Sequence, residues 1–131
     1  MDTDVSVNTS LRLALMRGVP KKWNVRANFD TFLRMLDRAS EQSAELLVTP
    51  ECWLDGYAAP DRESSVERLR SVAQELDESS YLRQVAVEAK TRGLWLCFGF
   101  VSHENGKIFN SAALYNGAGE RVGVYLSLIH I

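Results

Sequence analysis

Residues 49–57 of this 131-residue sequence, Thr-Pro-Glu-Cys-Trp-Leu-Asp-Gly-Tyr, bring a carboxylate, a thiol, two aromatic rings and a turn glycine within nine positions. Pro50 lacks an N–H and pushes Thr49 towards an extended conformation, so a strand reaching Val48 is expected to end there. Glu51 then stands at the carboxyl edge of a sheet, the edge outside which α/β proteins bind ligands. An acidic residue locked directly after a proline at that edge is well placed to point into a cleft, although a lone Glu after Pro is more often a surface or capping residue. A carboxylate with a reference pKa of about 4.3 needs burial to act as a base at neutral pH. Gly56 permits a sharp bend, and Trp53 and Tyr57 are candidate substrate-binding walls of a small pocket or, alternatively, plain core residues. Asp55 reads as an Asx-turn residue at that bend.

The remaining reactive side chains read as bystanders. Cys52 follows Glu51 directly and should point away from it at a strand end. Cys97 sits in an apolar run and is expected to be a buried, inert thiol. His103 lies near a turn and reads as exposed, while His130 falls in the terminal segment. Neither cysteine forms a CxxC and no histidine stands at metal-ligand spacing, so no metal and no cofactor is expected. Trp95 and Phe98 read as core aromatics, Lys90 and Lys107 as solvated.

The elements that must position Glu51 can be traced along the chain. Residues 11–16, Leu-Arg-Leu-Ala-Leu-Met, are an apolar run of strand length. A loop with Gly18 and Pro20 follows, and Asn24 is placed to cap a helix. In that helix Val25, Phe29, Phe32, Leu33, Leu36 and Ala39 share one face, opposite Arg26, Asp30, Arg34 and Asp37. Leu46-Leu47-Val48 is a second apolar strand, so strand, helix and strand make a βαβ unit with a right-handed crossover. One further helix is expected from the stripe Val66, Leu69, Ala73 and Leu76. Another follows from Leu82, Val85, Ala86 and Ala89, closed by Gly93 as a C-cap. Strands are then expected at 94–100, 111–115 and 122–125, with a hairpin signal at Asn105-Gly106 and a turn at 116–119. The order βαβαα followed by a meander predicts an α/β fold with a mixed sheet covered by helices.

Composition narrows the partners. With 46% hydrophobic and 24% charged residues the chain is an ordinary globular sequence. A net charge of −2 without a basic stripe argues against nucleic acid and gives no pull towards an anionic membrane. The acidic start, Met1-Asp2-Thr3-Asp4, lacks the basic region of a secretory signal, and no apolar run approaches the ~18 residues of a membrane span. Two unpaired cysteines fit a reduced, cytoplasmic setting.

Leu47-Val48-Thr49-Pro50-Glu51, followed by Gly56-Tyr57, resembles the Pro-Glu motif of the nitrilase, or carbon–nitrogen hydrolase, superfamily. Three more pieces resemble that family in the same order. They are the helix from Asn28 to Ala39, the strand from Gly93 to Phe100 ending in Gly-Phe, and Asn110-Ser111-Ala112-Ala113-Leu114 with Gly119-Glu120 and Gly123-Val124-Tyr125. The likeness covers residues of about 11 to 125. It implies a four-layer αββα sandwich, here truncated to about its first half, and a Glu–Lys–Cys triad. In that triad a cysteine attacks an amide, nitrile or carbamoyl carbon of a small molecule, and water hydrolyses the resulting thioester. Carried over by motif, Glu51 is the general base. The family also implies a homo-oligomer.

The sequence departs from the family after Tyr125. A basic pair containing the catalytic lysine is expected there, but the chain reads Leu126-Ser127-Leu128-Ile129-His130-Ile131. Ser127 stands roughly at the lysine position and cannot carry its charge. Residues 1–125 are therefore read as the N-terminal part of a carbon–nitrogen hydrolase domain and 126–131 as an aberrant tail. With neither lysine nor nucleophile the polypeptide is expected to be catalytically incomplete. A non-catalytic binding or oligomerisation module of the same fold is the alternative. A nucleotide-binding domain is disfavoured, because residues 17–23 contain one glycine and no phosphate-binding pattern.

Overall fold

The computed structural model describes residues 10–129. His130 and residues 1–4 lie outside the described residues. The elements run β1 (Leu13–Leu15), α1 (Val25–Glu41), β2 (Leu46–Val48), α2 (Val66–Val72), α3 (Ser80–Arg92), β3 (Trp95–Glu104), β4 (Lys107–Tyr115) and β5 (Arg121–Leu128). The strands form one sheet in the order β1-β2-β3-β4-β5. The first two pairings are parallel and the last two antiparallel, so the sheet is mixed. Among the described residues no helix is long and apolar enough to cross a membrane.

Local chemistry sets the helix ends. Asn24 caps α1 by accepting from Ala27 N through its side chain, and Ser79 caps α3 by accepting from Leu82 N. Gly93 ends α3 in the left-handed region at φ 60°. Asn105 and Gly106, at φ 50° and 76°, make the tight turn that the sequence predicts between β3 and β4.

Phe29, Phe32 and Leu36 of α1 and Leu82, Val85 and Ala89 of α3 pack on one sheet face, against Leu47, Leu96, Phe98, Phe100, Ala113 and Tyr115. Burying each large apolar side chain contributes about 1.5–3 kcal/mol, so this layer carries most of the driving force for folding. Strand side chains alternate in direction, which leaves Leu13, Leu15, Val48, Trp95, Cys97, Leu114 and Tyr125 on the other face. At the hairpin end that face is covered by α2 and its preceding loop, where Cys52, Ala58, Leu69, Val101 and Ile108 cluster. Elsewhere it is open: Leu13, Leu15, Trp95 and Tyr125 are 47, 67, 43 and 69% exposed.

Four expectations of the fold need correcting. Trp95, read as a core aromatic, is 43% exposed on the open face. β1 is half the predicted length, because only Leu13–Leu15 pair with β2. The stripe through Ala73 and Leu76 is not one helix. α2 stops at Val72, Ala73 turns extended at ψ 147°, and Gln74 joins the edge of β3 through Gln74 N to Val101 O and His103 N to Gln74 O. Strand β5 runs beyond Tyr125: Leu126, Ser127 and Leu128 pair with Ser111, Asn110 and Phe109.

Candidate active site

Glu51 is placed by the way β2 ends. Thr49 N still donates to Cys97 O at 3.0 Å, continuing the ladder for one residue. The Thr49 hydroxyl then takes over from the backbone, accepting from Gly99 N at 2.8 Å and donating to Pro50 O at 3.1 Å. Beyond it the chain folds into a compact turn, closed by Gly56 N to Trp53 O at 3.2 Å and Tyr57 N to Cys52 O at 2.9 Å. Cys52, Gly56 and Tyr57 all adopt positive φ, at 49°, 84° and 56°. Gly56 is required there: a Cβ would meet Lys21 O at 2.3 Å, and side chains rarely adopt such φ values.

Asp55 fastens this turn to β3. Its Oδ2 accepts from Ala58 N at 3.0 Å and its Oδ1 from Val101 N at 3.1 Å. The side chain is fully buried. Burial pushes its carboxyl up to about 6, against the opposing pull of the backbone N–H groups that favour the charged form. The bonding is not that of the expected Asx-turn, since the bond from Ala58 spans three residues rather than two and the bond from Val101 reaches 46 residues along the chain.

Glu51 itself is exposed, not buried as the sequence reading asks of a base, and reaches across to β4, where Asn110 Nδ2 donates to its Oε1 at 2.5 Å. The pair stands at a cavity of about 280 Å³, lined also by Val48, Thr49, Cys97, Ala112, Tyr125 and Ser127. The cavity opens on the uncovered side of the sheet. A carboxylate held by a neutral amide in a small concavity can take a proton from a nucleophile brought beside it.

The structure sorts the predicted residues. Glu51 lies in the cavity, whereas Trp53 and Tyr57 are not among the residues lining it. Trp53 is core: 1% exposed, it packs with the α1 layer and its Nε1 donates to Asn28 O at 2.8 Å. The positive φ at Cys52 reverses the chain after Glu51, which sends Trp53 to the opposite side from the cavity. Tyr57 is about half exposed, beyond the same bend. Cys52 is buried and diverges from Glu51 as expected; burial, then the negative charges of Asp55 and Glu51, push its thiol far up. Cys97 is only half-buried and lines the cavity, with burial raising its thiol too. His103 is partly buried on β3, with Nδ1 3.8 Å from Glu75 Oε1, rather than freely exposed. No group of three or more His, Cys, Asp or Glu side chains is gathered among the described residues to hold a metal.

Asn110, Thr49 and Gly99 were not marked as site residues by sequence reasoning. Thr49 acts through its hydroxyl and Gly99 through its backbone, where the end of β2 meets β3. The only sequence signal for Asn110 is its place in the Asn-Ser-Ala segment.

Comparison with known proteins agrees with this fold. The sequence matches the family described as carbon-nitrogen hydrolase over residues 12–128. It is 32% identical over 103 residues to the nitrilase and fragile histidine triad fusion protein NitFhit of Drosophila melanogaster, covering 78% of this chain and 21% of that protein. It is 29% identical over 120 residues to a glutamine-dependent NAD(+) synthetase of Acinetobacter baylyi, covering 88% of this chain and 20% of that one. The crystal structure of an amidase from Nesterenkonia sp. superposes with a TM-score of 0.68 at 26% identity, covering 89% of this chain and 42% of the amidase. An N-terminal amidase crystallised with an Asn-Glu-Ala peptide superposes with a TM-score of 0.75 at 16% identity, which speaks to the fold alone. The chain thus spans about a fifth of these curated relatives and under half of the amidase. With the mixed sheet, the helix layer and the Pro-Glu turn in place, the chain belongs to the carbon–nitrogen hydrolase family, the nitrilase superfamily.

Proposed function

We propose that this chain supplies the general base of a hydrolase cleaving a non-peptide C–N bond of a small molecule: an amide, nitrile or carbamoyl group. The mechanism is of the Glu–Lys–Cys type, with Glu51 as the base. The observation that carries this reading is Glu51 at the carboxyl end of β2, held by Asn110 beside a cavity sized for a small acyl group. In such a mechanism the base takes the proton of a thiol that attacks the substrate carbon, and a lysine stabilises the charge developing on the substrate. The amidase and the glutamine-dependent synthetase among the relatives favour an amide as the substrate class.

Glu51 is the one member of that triad we assign here. Among the described residues no lysine lines the cavity, and Ser127 stands where the resemblance expects one. Cys52 is buried away from the cavity, and burial opposes ionisation of the Cys97 thiol. We therefore propose that the 131-residue polypeptide does not turn over by itself. The test is to sequence the source gene beyond the codon for Tyr125. If the frame continues into a lysine-bearing segment and a cysteine motif, Glu51→Gln in that longer protein should lower kcat by on the order of 10⁴-fold or more. Retained turnover in Glu51→Gln would remove Glu51 from the base role. We further place the protein in the cytoplasm as a homo-oligomer without a cofactor, nucleic-acid partner or membrane partner.

A second reading is supported by the open sheet face. Leu13, Leu15, Trp95 and Tyr125 present apolar surface of the kind that drives association. A non-catalytic module would use that face to bind a partner. A monodisperse monomer in sedimentation analysis would count against this module and against the homo-oligomer alike, so the two readings are separated by the gene sequence: a lysine-bearing segment and a cysteine motif beyond Tyr125 favour the hydrolase.

A further inference from the structure

Asn110 meets the Glu51 carboxylate from a part of the sheet 59 residues away. Strand β4 lies between β3 and β5, and Asn110 is paired on both sides, with Val101 and with Ser127. Its backbone is therefore fixed by two ladders. Glu51, by contrast, is exposed on a turn, and an exposed glutamate samples many rotamers. The hydrogen bond joins a rigid donor to a mobile acceptor, and a bond to a charged acceptor is among the stronger kinds.

The chemistry of the donor matters as much as its position. An amide Nδ2 donates to a carboxylate without neutralising it, and it cannot take up the proton that the base must accept. The bond engages Oε1, and no hydrogen bond to Oε2 is formed among the described residues. From this geometry we infer that Asn110 is a positioning residue for Glu51. It fixes the carboxylate in one rotamer at the cavity and leaves Oε2 as the proton-accepting oxygen. This rests on Glu51 being the base of the proposed hydrolase. An aspartate at 110 would set a like charge against Glu51, and a serine is too short to reach it.

The test is NMR on the isotopically labelled chain. The side-chain amide protons of Asn110 are expected to be displaced and slow to exchange in the native chain. They should return to the position of a free amide in Glu51→Ala. In Asn110→Ala the Hα–Hβ couplings of Glu51 should collapse to rotamer-averaged values while the backbone amide spectrum keeps its native dispersion. Asn110→Ser gives the same comparison if the alanine variant unfolds. Glu51 couplings unchanged by either substitution, or an Asn110 amide indifferent to Glu51→Ala, would overturn the inference. Neither readout depends on turnover. The pair can thus fail with Glu51 still the base, and the hydrolase reading can fail with the pair intact.

Discussion

Gly99 lies so close beneath the Pro50 carbonyl that a Cβ at position 99 would sit 2.5 Å from that oxygen and 3.1 Å from Cys52 N. The approach is backbone against backbone, so no side-chain rotation can relieve it. It also fixes how high the Pro50-Glu51 turn rides over β3, because Gly99 N and Gly99 O are both bonded to that turn, to Thr49 Oγ1 and from Leu54 N.

Gly99→Ala is therefore expected to push the turn away from β3 and carry Glu51 off Asn110. Overpacking of this kind costs about 1–3 kcal/mol. Urea unfolding should show a lower midpoint, and the Asn110 side-chain amide should lose its displaced resonance. An alanine variant of native stability would mean the turn has room that the backbone distances deny.

What was legible in the sequence, and what was not, divides along the same line. Leu46-Leu47-Val48, the α1 stripe, the Gly93 cap and the Asn105-Gly106 turn are local signals, each set by periodicity or by the conformational demands of one residue. The end of α2 is not local. Ala73 and Leu76 keep helical spacing, but Gln74 gains two backbone hydrogen bonds at the edge of β3, and tertiary pairing overrides the pattern. Glu51 could be found because its motif is contiguous. Asn110 and Val101 are separated from their partners by 59 and 46 residues, and nothing in the spacing announces those bonds.

Trp53 is packed in the core and does not line the cavity. As a core residue it should cost about 3–5 kcal/mol when truncated in Trp53→Ala. Trp53→Phe keeps an aromatic ring but removes the rest of the indole and the bond to Asn28 O, so about 1 kcal/mol for the bond plus a cavity cost is expected, a smaller total than for alanine. Chemical denaturation measures both. If Trp53→Ala left stability unchanged, the indole would have to be placed outside the core.

Asp55 predicts a pH dependence with a definite sign. Its folded-state pKa is raised, to about 6 from an ordinary 3.8, because burial penalises the charged form. The folded chain thus binds this proton more tightly than the unfolded chain does. Its contribution to stability is present in full below the unfolded value and is lost as pH rises through about 6. A shift of this size corresponds to about 3 kcal/mol. Unfolding free energies should therefore fall between pH 4 and pH 7 more steeply in the native chain than in Asp55→Asn, which has no proton to lose. Asparagine also puts a donor against either Ala58 N or Val101 N, so the variant should be less stable than the native chain at low pH. Parallel pH profiles for the two proteins would show that Asp55 does not titrate in this window.

The two thiols should separate by reactivity. Cys52 is buried in the small cluster with Leu69, Val101 and Ile108, and both burial and the carboxylates of Asp55 and Glu51 oppose its ionisation. Cys97 is half-buried in the cavity wall, and only burial opposes its ionisation. Since the thiolate is the reactive form, both should alkylate slowly at neutral pH, Cys97 ahead of Cys52. Iodoacetamide labelling followed by mass spectrometry is expected to modify Cys97 first, with Cys52 protected until denaturant unfolds the chain. The same experiment bears on catalysis. Incubation with small amides or nitriles should leave no acyl adduct on either sulfur, because neither thiol is a ready nucleophile and no lysine among the described residues lines the cavity to stabilise developing charge. A thioester trapped on Cys97 would reverse that conclusion, since it would make the cavity beside Glu51 a working site with its nucleophile on β3.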